Sequence, residues 1–327
     1  MRSTWRGPAA LGAAVVILLS ACTTAASPSV APSVAPSVAP SVAPSVAPSV
    51  APSPTATPAP TPVATIPADQ LVFATHLTVC SDIPYPPLEY LDDQGNPIGS
   101  DMEIAAGLAT RLGLKLDVVN TVFDYIIAAV TGGKCDIIIS DQNMTADRIA
   151  QVDMLPYFQA GQSFAVLKGN PKAVSTELDL CGKKVGAETS TTEIQYLEGT
   201  DLYKASGGLK KKCTDAGKPA PEAVKFEKDP DAFLALAAQQ VDVYFADLPV
   251  VAYYVQQQPD QFEVAPITPL DPIKAGISVP KEHTAVLNAV KAALLAMIDD
   301  GSYLAVLTKY SVAAGALTKD LIVVNQP

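Results

Sequence analysis

The sequence predicts an α/β protein of two lobes, each a mostly parallel sheet flanked by helices, with a ligand cleft between them. Three observations predict it. From Leu71 onward, short apolar runs alternate with stretches of helical period. The alternation is broken at Lys168-Gly169-Asn170-Pro171 and then begins again. The apolar run 137–139 also stops abruptly at Ser140-Asp141-Gln142-Asn143, four side chains that can all hydrogen-bond, as expected where a buried strand ends beside a cleft.

In order, the first alternation opens with a strand over 77–81. A proline-rich loop follows, with Tyr85 at its centre, then a short strand over 88–91 and a turn over 92–97. A helix is predicted over 102–112, with Ile104, Leu108 and Leu112 on one stripe and Gly113 as its stop. The strand 115–119, the helix 123–130 ending at Gly132-Gly133 and the strand 135–139 complete a β-α-β-α-β unit. A strand over 163–167 precedes the break. Beyond it the reading is strand 184–187, helix 191–197, strand 223–226, helix 231–239, strand 241–245, helix 249–257 and strand 262–265. A returning strand over 276–279 and closing helices over 282–299 and 301–310 end the chain. Paired crossovers are expected near Leu167 and near Ala265. They divide the body into a first lobe of 70–167 and 266–327 and a second lobe of 168–265.

The segment 137–148 carries the most chemistry. Thr145 reads as an N-cap, and Arg148 falls three residues later, where a capping box places Glu or Gln. A cation there is opposed by the positive end of the helix dipole. Asp147 offsets part of that conflict, and a bound anion would resolve it further. Two readings stay open from these residues alone: a carboxylate site, or a surface ion pair of Arg148 with Asp147 or Asp153.

The N-terminus bears on location. Arg2 and Arg6 precede an apolar stretch over 9–19, the length of a signal peptide and too short for a membrane span. It ends in Leu19-Ser20-Ala21-Cys22, which resembles the bacterial lipobox. That resemblance implies a signal peptide of 1–21 and a lipid on Cys22. Residues 22–69 contain six tandem Ser-Val-Ala-Pro units and then a Pro/Thr/Ala tract. Frequent proline and little apolar bulk make this a semi-rigid spacer. Its extended reach is roughly 140 Å at ~3.1 Å per residue.

Composition narrows the function classes. A net charge of −11 argues against nucleic acid and against anionic lipid surfaces as partners. The two histidines, His76 and His283, lie far apart with no zinc-type spacing and no nucleophile motif beside them. No metal and no cofactor are expected. Four cysteines remain beyond Cys22. Cys181 and Cys213 read as surface positions that pair in an oxidising compartment and close a 31-residue loop. The chain-entropy model gives such a link about 3 to 4 kcal/mol. Cys80 and Cys135 read as buried, free thiols, because strands with aligned C-terminal ends would set them several residues apart.

Seven blocks, in order, resemble the bacterial extracellular solute-binding proteins of family 3, which serve polar amino acid ABC importers. They are D-I-P-Y-P-P-L-E-Y (82–90), G-N-P-I-G-S-D-M-E-I-A (95–105), F-D-Y-I-I-A-A-V-T-G-G-K-C-D (123–136), S-D-Q-N-M-T-A-D-R-I-A-Q-V-D (140–153), K-V-G-A-E-T-S-T-T-E (184–193), V-D-V-Y-F-A-D-L-P-V-V-A (241–252) and D-G-S-Y (300–303). The resemblance spans 71–327 and implies a type II periplasmic-binding-protein-like fold. It also implies site roles. Arg148 grips a ligand α-carboxylate; Thr192, or Thr191 equally, adds a hydroxyl from the opposite lobe; Asp247 takes the α-ammonium. Tyr85 and Phe123 sandwich the ligand side chain, Ser140 and Asn143 hydrogen-bond, and Asp82 contacts distal polar groups. Each has a plainer alternative: Tyr85 and Phe123 as core, Asp247 as a helix N-cap, Asp82 as a turn former. Two positions depart from the family pattern, which has a small residue in place of Asp141 and Gly in place of Ser190. Asp82, Asp141 and Asp247 together tilt the expectation toward a cationic or polar amino acid.

The expected protein is therefore a monomeric, lipid-anchored binding component of an ABC importer, with a small-molecule ligand and a membrane permease as partners. It is not expected to be an enzyme. The rival classes are an enzyme on the same fold, dehydratase-like or lytic-transglycosylase-like, with Glu89 or Glu188 as its acid, and a sensory ligand-binding protein.

Overall fold

The computed structural model describes residues 62–327. The signal peptide, Cys22 and the Ser-Val-Ala-Pro repeats lie outside the described residues. In chain order the first lobe contains β1 (His76–Ser81), a small hairpin of β2 (Tyr90–Leu91) and β3 (Pro97–Ile98), α1 (Ser100–Arg111) and β4 (Lys115–Asn120). It continues with α2 (Ile126–Thr131), β5 (Ile137–Ile138), α3 (Ala146–Gln151) and β6 (Val152–Ala160). The second lobe runs β7 (Gln162–Leu167), β8 (Lys184–Glu188), α4 (Thr192–Glu198), α5 (Gly208–Asp215) and β9 (Glu222–Phe226). It ends with α6 (Asp229–Ala237), β10 (Val243–Asp247), α7 (Leu248–Gln257) and β11 (Phe262–Val264). The chain then returns through β12 (Ile273–Pro280), α8 (Thr284–Asp299) and α9 (Ser302–Lys309) to the first lobe.

The sheets are ordered β4-β1-β5-β12-β6 and β11-β7-β10-β8-β9. In each, three strands are parallel, as expected of strands linked through helices. One strand in each, β12 and β7, runs the other way, and β6 and β11, which pair antiparallel with these, point in the same direction as the three. These are the strands that cross between lobes, where no helix reverses the chain.

Helices cover both faces, which is why the central strands read as continuous apolar runs. In the first lobe Leu77, Val79, Ile137 and Ile139 join the cluster built on Ile104 and Leu108 of α1 and Val290 and Leu294 of α8. Cys80 and Ile138 point the other way, onto Ile126 and Val130 of α2. Burial of each such aliphatic side chain is worth about 1.5 to 3 kcal/mol.

Four expectations need correction. The first crossover is not near Leu167: β7 pairs with β10 and β11, so residues 162–167 belong to the second sheet and the chain crosses at Gly161. The two crossovers lie side by side there. Leu270 N–H donates to Gln162 O at 2.9 Å, and a Cβ on Gly161 would stand 2.6 Å from Leu270 O. Residues 62–69 are not free spacer. Val63 N–H donates to Arg111 O at 2.9 Å, and Ala64 and Ile66 pack on the core. Cys80 and Cys135 are not thiols but a disulfide, with Cα atoms 5.7 Å apart. The strand register does place Cys80 beside Ile138. The chain bends over 134–136 instead of running straight, however, and this carries Cys135 back over Cys80. Cys181 and Cys213 do pair, but Cys213 is fully buried on α5, a helix the sequence reading omitted.

The last residues also return to the first lobe. Asn325 N–H donates to Met154 O, and its side-chain oxygen accepts from Met154 N–H, both at 2.8 Å.

Candidate functional site

The carboxyl ends of β1, β5, β8 and β10 face one another across the interlobe cleft. All ten residues singled out from the sequence line one cavity there: Asp82, Tyr85, Phe123, Ser140, Asp141, Asn143, Arg148, Thr191, Thr192 and Asp247. Three further acids line it, Glu89, Glu188 and Glu193. Glu193 was not anticipated. Its only sequence signal is an acid in the first turn of α4, the usual place for one.

Arg148 is reached from Thr145, whose side-chain oxygen caps α3 by accepting the Arg148 N–H at 3.3 Å. Arg148 is 7% exposed. Nη1 donates to Asn143 O at 2.8 Å, and Nη2 donates across the cleft to Ser190 O at 2.9 Å. It also lies 5.1 Å from the centre of the Phe123 ring, so Phe123 stacks on a protein cation. The surface ion pair with Asp147 or Asp153 is not formed: Arg148 is buried and takes part in no salt bridge among the described residues, and Asp153 instead meets Lys281 and Asn325. Burial lowers the Arg148 pKa to about 10, while Glu193, Asp247 and Asp201 act to raise it. Ser190 sits at φ 59, a left-handed conformation in which Gly costs least.

Three more bridges join the lobes. Tyr85 donates its hydroxyl hydrogen to Asp247 Oδ2 at 2.8 Å and accepts from Asp247 N–H at 3.1 Å. Asn143 Nδ2 donates to Thr192 Oγ1 at 2.8 Å, and Gln162 Nε2 donates to the same oxygen at 2.7 Å. Lys228, at the entrance to α6, forms a salt bridge with Asp82, which also accepts the Phe123 N–H. Thr191 is the α4 N-cap residue but donates its hydroxyl to Glu188 O at 2.7 Å. Ser140 donates to Glu89 Oε1 at 2.8 Å and accepts the Asp82 N–H at 2.9 Å.

The cavity is thus rich in acid. Burial pushes the Glu188 carboxyl up to about 9, helped by Asp229 and Glu193. Burial likewise raises Glu89, with Asp101 and Asp141 adding repulsion, and raises Asp247, with Glu193 and Asp141 adding it. Beneath the cavity Asp101 is pushed up to about 6 and Asp229 to about 7, both chiefly by burial. Among the described residues no group of His, Cys, Asp and Glu is arranged to hold a metal ion. A cleft with one buried guanidinium and several acids can hold a carboxylate and cations at once.

Residues 77–313 match the family model of the bacterial extracellular solute-binding proteins, family 3. The chain belongs to this family. A relative, "ABC transporter arginine-binding protein 1" of Escherichia coli (strain K12), is 28% identical over 224 residues, covering 67% of this chain and 84% of that protein. A solved structure described as "An ancestral arginine-binding protein bound to arginine" is 32% identical with a TM-score of 0.63, covering 72% of this chain and 98% of that one. Another is described as "the ancestral amino acid-binding protein AncCDT-1, a precursor of cyclohexadienyl dehydratase". It is 28% identical with a TM-score of 0.61, covering 72% and 95% of the two chains. Family 3 fixes the type II two-lobed fold and an extracellular solute-binding role. No described helix is long and apolar enough to cross a membrane.

Proposed function

We propose that this family 3 member captures a free amino acid with a cationic or polar side chain and hands it to an ABC permease, held at the outer face of the cell membrane by a lipid on Cys22. Arg148 takes the α-carboxylate, and Asp247 takes the α-ammonium from the other lobe. One observation carries the reading. Arg148 is 7% exposed, has no carboxylate partner among the described ion pairs, and its guanidinium donates hydrogen bonds only to two carbonyls. Two carbonyl bonds leave part of its five-donor fork for a ligand carboxylate. The relatives' names, an arginine-binding protein among them, support an amino acid as the ligand. Closure follows from differential contact: a ligand touching both lobes favours the bridged state over an open one.

Calorimetric titration with a panel of free amino acids tests this. Arg148→Ala is expected to weaken binding about thirtyfold or more, from about 2 to 5 kcal/mol for truncating one partner of a buried charge pair. Full affinity in that variant contradicts the assignment. An enzymatic reading has one observation in its favour, the proton that Glu188 keeps near neutral pH in a ligand cleft. Its check is turnover of a prephenate-like acid by wild type and its loss in Glu188→Gln.

A further inference from the structure

Lys228 stands where the start of a helix does not favour a lysine. It is the N-cap residue of α6, makes no capping hydrogen bond and meets the positive end of the helix dipole. Asp229, the next residue, does not pair with it. That buried carboxyl accepts instead from the Tyr244 hydroxyl at 2.5 Å. The partner of Lys228 is in the other lobe. Its ammonium forms a salt bridge with Asp82 Oδ1 and donates to Ile83 O at 3.4 Å.

Asp82 belongs to the wall of the ligand cavity and is 4% exposed. Both of its oxygens are engaged, Oδ1 by Lys228 and Oδ2 by the Phe123 N–H at 3.2 Å. Of the acids in that wall, Asp82 alone is in a salt bridge among the described residues. Glu89, Asp141, Glu193 and Asp247 each keep at least one buried oxygen without a hydrogen-bond partner. Burial raises all four toward their neutral forms. Asp82 is therefore the wall acid to which the protein itself brings a cation. A ligand cation arriving at the same carboxylate meets the lysine charge already there, and like charges at close range disfavour one another.

We propose that Lys228 is a specificity residue: it supplies from the second lobe the cation that Asp82 would otherwise take from a ligand, and so turns the cleft against amino acids whose side chains end in a positive charge. Because the two residues lie in different lobes, that cation arrives as the cleft closes. The inference rests on the amino acid reading of the cleft and narrows it, from cationic or polar side chains to polar ones.

Calorimetry on the full chain tests it with glutamine, arginine and lysine, and the quantity read is the affinity for each cationic amino acid relative to glutamine. Lys228→Met removes the charge and keeps the apolar stem. It leaves Asp82 as a buried anion for the ligand to neutralise, so the relative affinity for arginine or lysine is expected to rise about tenfold or more. Losing a bridge between lobes also loosens closure, but that weakens every ligand alike and does not move the ratio. Lys228→Arg is expected to keep the wild-type ratio. Adding Asp82→Asn to Lys228→Met should bring the ratio back to within about threefold of wild type. The proposal is overturned if Lys228→Met leaves the ratio within about threefold of wild type, or if Lys228→Arg raises it as far as Lys228→Met does. An unmoved ratio together with lost binding in Arg148→Ala sinks the role of Lys228 and keeps the carboxylate site. A raised ratio with full affinity in Arg148→Ala does the reverse. A wild type that binds none of the three counts against both.

Discussion

Tyr85 shows how much a single side chain does in this cleft. It enters from the first lobe, yet its hydroxyl makes two hydrogen bonds to Asp247 of the second. The sequence reading placed it against the ligand side chain, because an aromatic ring in a loop between strands says nothing about what its hydroxyl meets. The phenol is held neutral by burial and by the repulsion of Asp247 and Glu193. It therefore remains a donor to Asp247, the group proposed to take the ligand ammonium. Tyr85→Phe removes a hydrogen bond to a charged group and the partner of a backbone N–H. Affinity is expected to fall about ten- to a hundredfold, from 1.5 to 3 kcal/mol. Unchanged affinity in a calorimetric titration would mean that Asp247 is oriented by other groups.

At the scale of elements, most of the alternation was legible, and its failures have physical causes. β6 was missed because Pro156 interrupts it, and proline argues against a strand. The structure accommodates it on an edge strand, where the register shifts opposite Ala275 and Gly276. α5 was missed because Gly208 and a run of three lysines hide its short apolar stripe of Leu209 and Cys213. The site itself was largely legible, since its residues cluster at strand ends. The extra acids were not, because a glutamate reads as solvated until the fold buries it. The disulfide between β1 and the entrance to β5 was lost to a bend. Chain entropy assigns that link, at a separation of 55 residues, about 4 kcal/mol. The double variant Cys80→Ala, Cys135→Ala is expected to be less stable by roughly 2 to 5 kcal/mol and so to unfold at a lower denaturant concentration. A midpoint equal to that of wild type would show that packing, not the cross-link, holds these segments.

For the molecule as a whole, the buried acids make stability depend on pH in an unusual direction. Asp101 at about 6, Asp229 at about 7 and Glu188 at about 9 all sit above their ordinary values of 3.8, 3.8 and 4.5. The folded chain therefore holds protons that the unfolded chain has lost. Their contribution is complete below the unfolded values and is lost as pH rises through the folded ones. The thermal midpoint of the ligand-free protein is expected to fall between about pH 5 and pH 9. Glu188→Gln should flatten the upper part of that decline. Scanning calorimetry across this range decides it, and a midpoint that climbs toward pH 9 contradicts the account. A cationic ligand should offset the loss by taking the place of the protons.

Both ends of the described chain are fastened to the first lobe, at Arg111 and at Met154, while the backbone enters and leaves the second lobe at Gly161 and at the neighbouring segment that carries Leu270. Whatever pulls on either end loads the first lobe alone and leaves the pivot unloaded. Once the bridges across the cleft are released, the second lobe is the arm that moves. A fluorophore on exposed Leu234 and another on exposed Leu304, one in each lobe, would report its swing as a change in energy transfer, even with the N-terminus immobilised on a surface.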